Sequence, residues 1–503
     1  MRTAWVLALA PALLHAAAAL APGAQQQRPL APAAGAPPAD DEVLSLPGHA
    51  GALPSRHYAG YVGVGPAQRR QLFYYLVSAE APRGSDADGR VIVWLTGGPG
   101  CSSMDAFAYE HGPFKMSLAP GAGAGGRALG VDDVVLSRNP HAWSRAAHVV
   151  YVDSPAGTGL SWSADRADYA TGDGRTLDDL AEFVDRFFAA HPDLAERREL
   201  YIAGESYGGV YVPLLAARLL RDGGARAGAG GAHRPALAGV IVGNGVTDDA
   251  FDARGQLSYA WAAGLVDEPG LASARRRCED GGWNPVEGDC GAAIDDLQAS
   301  LEAAGINPYD TLSPCARGGD ALAAAGARAP LLRQRLRATA RRGGAAAGLG
   351  HSIACADRRA SLAYFNAPRV RDAIHADSVD QAGRWEPCSD VLDYTHDAGS
   401  MLPVYVELLA GRVRALVYSG DADFIVPFTS TRAWVRHGLT PPLREARPWH
   451  AWGLPGSEQT AGWAVEFEEG LTMATVRGAG HMVPQSRPAE SLELLRLWLA
   501  REL

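Results

Sequence analysis

Beyond its first two dozen residues, this chain has no run approaching the ~20 apolar residues that cross a bilayer as a helix, which excludes a membrane-spanning core. It has no Cys-x-x-Cys pair and no His-Glu-x-x-His, the spacings from which zinc sites are usually built, so no metal and no cofactor are expected. It also lacks an Asn-x-Ser/Thr sequon. Asn139, Asn284 and Asn307 each precede proline, and Asn244 and Asn366 have no hydroxyl residue two places on, so no N-glycan is predicted. Positive charge is not in excess either. The formal net charge of −10 disfavours nucleic acid or an anionic membrane as the main partner. No glycine cluster ends in the Gly-Lys-Ser/Thr that would hold phosphates.

What is present reads as a large exported globular protein. The 503 residues are 47% hydrophobic and 20% charged, a folded rather than disordered balance. Arg2, an apolar stretch over 4–14 and small residues after it predict a signal peptide over residues 1–22, and Pro11 argues against an anchor. Residues 23–42 are rich in Ala, Pro and Gln and predict a disordered leader or propeptide. Export agrees with an even set of six cysteines, Cys101, Cys278, Cys290, Cys315, Cys355 and Cys388. Three disulfides are expected; spacing leaves their pairing open, although Cys278 and Cys290 are close enough for a local loop.

Hydrophobic patterning predicts the fold class. "HYAGYVGV" and "QLFYYLVSA" alternate as an antiparallel pair would. "VIVWL", "HVVYVD", "ELYIAG", "LAGVIVG", "VRALVYSG" and "LTMATV" are short and solidly apolar, as strands buried on both faces are. Between them "TLDDLAEFVDRFFAAHP" places Leu177, Leu180, Phe183, Val184 and Phe187 on one helical face. The alternation predicts an α/β core with a mostly parallel sheet flanked by helices, over residues 43–247 and 386–503. Residues 248–385 break the rhythm and hold four of the six cysteines. They predict a disulfide-bearing helical insertion that caps the site. Its stretch 321–350, with six arginines and no acidic residue, predicts an exposed loop.

The chemistry begins at "GESYGGVYVP". Gly-x-Ser-x-Gly is a weak motif alone, but here it lies between a strand and a helix. That context makes Ser206 a nucleophile at the elbow of an α/β-hydrolase. Its partners are expected after later strands, in the order acid then histidine. Asp421 stands just past "VRALVYSG" and His481 just past "LTMATV". Asp423 is the alternative acid, set farther from its strand end. Of the fourteen histidines, His396, His437 and His450 have no comparable strand-end place. A second cluster, "WLTGGPGCSS", puts glycine after a strand, where backbone can approach closely. The amides of Gly98 and Tyr207 are expected to form an oxyanion hole. Glu205 is the anomaly, since a fixed negative charge beside the nucleophile would repel the oxyanion.

These segments, with "YEHGPF", "NPHAWSRAAHVVYVDSPAGTGLSWS", "VGNGVTD", "SGDADFIVPF" and "VRGAGHMVP", resemble the serine carboxypeptidases, and most nearly the plant carboxypeptidase I type. The resemblance runs from residue 57 to 488. It implies an α/β-hydrolase that releases single C-terminal residues from peptides and proteins at acidic pH. It implies that Glu205 shares a proton with the substrate's carboxylate, helped by Thr96 and Gly97. It also implies the pairs Cys101–Cys388, Cys278–Cys290 and Cys315–Cys355, and excision of a linker at 321–350. Family peptidases commonly have asparagine where Thr96 stands, and threonine there is found in related acyltransferases that use glucose esters. Those transferases usually carry aspartate at the place of Glu205, so hydrolysis is the reading adopted. A non-catalytic protective partner is the third class, disfavoured by a complete triad. Met482, beside His481 on an apolar wall, predicts a preference for apolar leaving residues. Peptide or protein C-termini are the expected partners, with no nucleic acid, no membrane anchor and a homodimer left open. The expected location is secreted or vacuolar/lysosomal.

Overall fold

A run such as Val91-Ile92-Val93-Trp94-Leu95 has no polar face, so a strand made from it must be covered on both sides. The computed structural model, which describes residues 41–196, 198–226, 234–315 and 355–503, shows that covering. Twelve strands form one sheet. They are β1 (Glu42–Val43), β2 (His57–Val64), β3 (Arg70–Val77), β4 (Arg90–Leu95), β5 (His148–Val152) and β6 (Trp162–Ser163). There follow β7 (Glu199–Glu205), β8 (Ala236–Gly243), β9 (Arg414–Gly420), β10 (Glu445–Gly453), β11 (Thr460–Phe467) and β12 (Leu471–Val476). Across the sheet the order is β1-β2-β3-β5-β4-β7-β8-β9-β12-β11-β10, with β6 on β3. From β5 to β12 neighbours run parallel, and both flanks are antiparallel.

The predicted pair forms as β2 and β3, with His57 opposite Val77. The β10–β11 hairpin was not anticipated. β10 reads "EARPWHAWG", whose proline and charges hide the strand pattern because most of it is exposed at the sheet's edge.

Ten helices matter to the site and its support: α1 (Ser103–Tyr109), α2 (Asp173–Ala190), α3 (Gly208–Arg226), α4 (Asp249–Ala262), α5 (Glu268–Asp280), α6 (Gly288–Ala303), α7 (Arg359–Phe365), α8 (Leu402–Ala410), α9 (Phe428–His437) and α10 (Pro488–Ala500). Each sheet face has its own core. Val91, Val93 and Leu95 pack with α2, α3 and α8, whereas Ile92 and Trp94 pack with α1, α7 and α10. On α2, Leu180, Phe183, Val184, Phe187 and Phe188 are wholly buried, each worth about 1.5–3 kcal/mol. Arg70 of β3 clasps Asp179 of α2 through two bonds, of 2.7 and 2.6 Å, which ties that helix to the sheet.

The insertion contributes α4 to α7 and a small hairpin, Ile306–Asn307 against Asp310–Pro314. Disulfides join Cys278 to Cys290, Cys315 to Cys355, and Cys101 to Cys388, the last pair 287 residues apart. The expected loop 321–350 and the expected signal peptide lie outside the described residues. The leader's expected end at 42 needs correcting, because Glu42 already pairs with Tyr58. Among the described residues no helix is long and apolar enough to cross a membrane.

Candidate active site

Parallel neighbours in register bring the C-terminal ends of β4, β7, β8, β9 and β12 to one edge of the sheet: Leu95 stands beside Gly204, Glu205 beside Gly243, and Gly420 beside Val476. Ser206 follows β7 directly and has φ +59°, a left-handed turn that costs an L-residue about 1–2 kcal/mol. The turn is held at both ends of the residue. Its N–H donates to Gly243 O at 3.1 Å, and its carbonyl accepts from Val246 N at 2.9 Å. The flanking glycines follow from crowding. A Cβ on Gly204 would lie 2.3 Å from Leu95 O, and one on Gly208 2.8 Å from it.

His481 is buried in the turn after β12, and its Nδ1 lies 2.7 Å from Asp423 Oδ2. Asp421, expected as this partner from its nearness to the strand end, must be replaced by Asp423. The chain enters a turn at Asp421 and Ala422, directly past β9. Asp421 N still donates to Val476 O and Ala422 N to Ala479 O, while the Asp421 carboxylate accepts from Gly478 N at 2.6 Å. These bonds tie the turn after β9 to the end of β12 and the loop beyond it, and past that turn Asp423 is the carboxylate that reaches the imidazole. With Nδ1 donating to Asp423, Nε2 is the free basic nitrogen. It is buried and has no partner among the described residues.

Of the other histidines weighed, His396 packs its ring against Tyr207 at 4.9 Å. His437 ends α9 and His450 lies on β10.

Gly97 lies against the nucleophile. A Cβ there would sit 2.4 Å from Tyr207 N and 2.9 Å from Ser206 Cβ, so only glycine fits. Gly98 has φ +114°, again a glycine conformation. Among the described residues neither the Gly98 nor the Tyr207 amide has a backbone acceptor. Tyr207 is steadied by its hydroxyl, which donates to Asp173 at 2.9 Å. The Thr96 hydroxyl accepts from Trp94 Nε1 at 2.9 Å, which leaves its own proton to donate elsewhere. Met482 is buried directly after His481, and the ring of Tyr309 stands 5.2 Å from the imidazole. Tyr309 was not foreseen. It belongs to the insertion's hairpin, where no strand-end rule points.

Glu205 is 4% exposed, and Glu110, 1% exposed, meets it carboxyl to carboxyl within hydrogen-bonding reach. Two carboxylates are acceptors only, so the contact requires a shared proton. Burial, then the charge of Glu110, hold Glu205 well above the usual carboxylate range; burial raises Glu110 as well. Glu110 stands in "YEHGPF", at the C-terminal end of α1, and was not singled out from the sequence, where no strand-end or elbow rule points to it.

A strained serine after a parallel strand, with histidine and aspartate from later strands of the same sheet, defines an α/β-hydrolase with a serine-hydrolase site. Within that class the family follows from comparison. The family-wide sequence profile described as serine carboxypeptidase matches residues 47–501, and the chain belongs to that family. It is 37% identical to serine carboxypeptidase 1 of Hordeum vulgare, over 92% of this chain and 93% of that one. It is 34% identical to serine carboxypeptidase-like 21 of Arabidopsis thaliana, over 92% and 94%. The crystal structure of Kex1(Δ)p, a prohormone-processing carboxypeptidase from Saccharomyces cerevisiae, shares the fold with a TM-score of 0.71 at 19% identity, covering 92% of this chain and 96% of that one. The protein is a serine-type carboxypeptidase.

Proposed function

We propose that it removes single C-terminal residues, apolar ones preferred, at acidic pH through an acyl-enzyme on Ser206. His481 Nε2 takes the hydroxyl proton as Ser206 Oγ attacks the last peptide carbonyl. Asp423 holds the imidazole in the tautomer that allows this. The amides of Gly98 and Tyr207 receive the oxyanion. The imidazolium then gives its proton to the departing amine, and water repeats the sequence in reverse to release the shortened peptide. Thr96, Gly97 and Glu205 receive the C-terminal carboxylate, and Met482 lines the pocket for the leaving side chain.

The observation that carries this reading is the buried Glu110/Glu205 pair beside the nucleophile. A protonated carboxyl can donate to an incoming carboxylate; an ionised one repels it. The location fitting this chemistry is the secretory route to an acidic compartment or the exterior, consistent with three disulfides. Thr96 supports a second reading, acyl transfer from glucose esters, so such esters belong in the assay.

KM should rise from about pH 4.5 to about pH 7.5 on a blocked free-acid dipeptide, because carboxylate contact is made in the ground state. It should stay level on the amidated dipeptide. Neutral His481 is the base, so kcat should hold or rise as acidity falls. Glu205→Gln should flatten the KM profile, and C-terminal Leu or Phe should exceed Lys or Arg in kcat/KM. A Gln variant that keeps the native rise, or turnover confined to glucose esters, would refute the reading.

A further inference from the structure

The helix that ends at Glu110 buries a further carboxylate that substrate binding does not use. Asp105 of α1 is 3% exposed, and its Oδ1 lies 2.7 Å from Nε of Arg358, which is 7% exposed. Arg358 stands directly ahead of α7 and caps the ring of Tyr109 at 4.2 Å. Its Nη2 donates to Gln485 Oε1 at 3.3 Å, on the short helix Val483–Ser486 just past His481. Ser361 N donates to the Tyr109 hydroxyl at 3.1 Å, which closes the cluster. An ion pair so deeply buried is a poor source of stability, because desolvating two ions offsets most of their attraction.

We infer that Asp105, held as an anion by Arg358, is a positioning residue that keeps the proton on the Glu110/Glu205 pair and thereby sets the upper pH limit of C-terminal carboxylate binding. The inference rests on the carboxylate-sensing role given to Glu205 above. Several groups face the pair. Asp105 lies on its own helix. Lys115, on the strand Phe114–Leu118, donates Nζ to the carbonyls of Tyr109, at 2.6 Å, and Glu110. Arg358 approaches from the lead into α7, and Asp423 with His481 from the loops after β9 and β12. The phenols of Tyr151, Tyr418 and Tyr309 complete the shell, all raised by burial and so uncharged.

Among the neighbouring groups, anionic Asp105 and Asp423 oppose loss of the pair's proton, while cationic Arg358 and Lys115 favour it. Asp423 is occupied by His481, and Lys115 by three carbonyls, those of Tyr109, Glu110 and Pro484. Asp105 has no such duty to the reaction. Burial raises Asp105 and the guanidinium of Arg358 opposes that rise; the 2.7 Å approach of Arg358 Nε to its Oδ1 is the contact an Asp105 anion makes.

The sign of the effect is definite. A carboxyl loses its proton less readily beside an anion and more readily beside a cation. Asp105→Asn removes the anion, keeps the shape and leaves Arg358 charged. The rise of KM on the free-acid dipeptide should therefore begin about one pH unit lower than in the native enzyme, with kcat at acid pH nearly unchanged. The neutral double variant Asp105→Asn/Arg358→Gln leaves no unmatched cation to hinder folding. It should shift the curve in the same direction by less. Neither variant should alter the pH profile of the amidated dipeptide, and adding Glu205→Gln to either should abolish the shift.

Curves that coincide with the native one, move upward, or move equally for the amidated substrate would overturn the role of Asp105 and leave carboxylate sensing intact. A native KM that does not depend on pH, or one that Glu205→Gln fails to flatten, would instead remove the reading on which the role rests.

Discussion

The carboxylate of Asp423 accepts from His481 Nδ1, Asn244 Nδ2 and the amides of Ile425 and Val426, at 2.7 to 3.1 Å. So many donors fix its orientation, and with it the imidazole's tautomer. Asp421 has one amide, that of Gly478, and no contact with His481. Asp423→Asn should lower kcat by roughly 10⁴-fold, because the amide can hold the wrong tautomer. Asp421→Asn should stay within about tenfold of native. Steady-state kinetics on one dipeptide checks both, and equal losses would return Asp421 to the triad.

Among the elements, the insertion's hairpin bears most directly on the site. Tyr309 O accepts from His481 N at 2.6 Å, Pro308 O from Phe424 N at 3.0 Å, and Thr311 N donates to Ala422 O at 2.8 Å. Backbone bonds of this kind brace both loops that carry the acid and the base, whatever side chains the hairpin presents. The approach is close enough to exclude a methyl group: a Cβ on Gly480 would lie 2.5 Å from both Tyr309 O and Asp310 Cβ. Gly480→Ala should displace the hairpin from His481. The expected loss is on the order of 10²-fold in kcat, with thermal unfolding showing only about 1–3 kcal/mol of destabilisation. A variant with native kcat would show that the hairpin does not position the base.

For the molecule as a whole, buried titratable groups of two kinds limit stability from opposite sides. Burial depresses His57 to about 3 and His148 and His191 to about 4. The stability they contribute is full above the ordinary histidine range and is lost as pH falls through those values. Burial raises Asp153 to about 6 and Asp252 to about 7, and Glu110 and Glu205 also upward. What these carboxyls contribute is full below the ordinary carboxylate range and is lost as pH climbs through their raised values. Between about pH 4 and about pH 6.5 the two sets oppose each other, and above that, of these two sets, only the carboxyls remain to ionise. Tm should therefore be level in mild acid and fall from about pH 6.5 to about pH 8. Glu205→Gln should reduce that fall, as followed by calorimetry. A Tm that rises across this interval would contradict the assignment.

Much of this was legible in order along the chain. Solidly apolar runs spaced by an amphipathic helix require a covered parallel sheet, because no other arrangement buries strands with two apolar faces. Ser206 could be read from its strand–turn–helix setting, and His481 from the last strand. These are local consequences of pattern and turn chemistry. Relations settled only when strands lie side by side were not legible. Asp423 rather than Asp421 meets His481 because the turn after β9 is bound to the chain past β12 and leaves the Asp421 carboxylate on Gly478 N, a contact between loops that no residue count reveals. Glu110 reaches Glu205 from a helix end ninety-five positions away in number. The proton they share exists because the folded core removes both from water at once. Sequence supplies the two carboxyls; their common burial, which makes one proton belong to both, is a property of the tertiary structure.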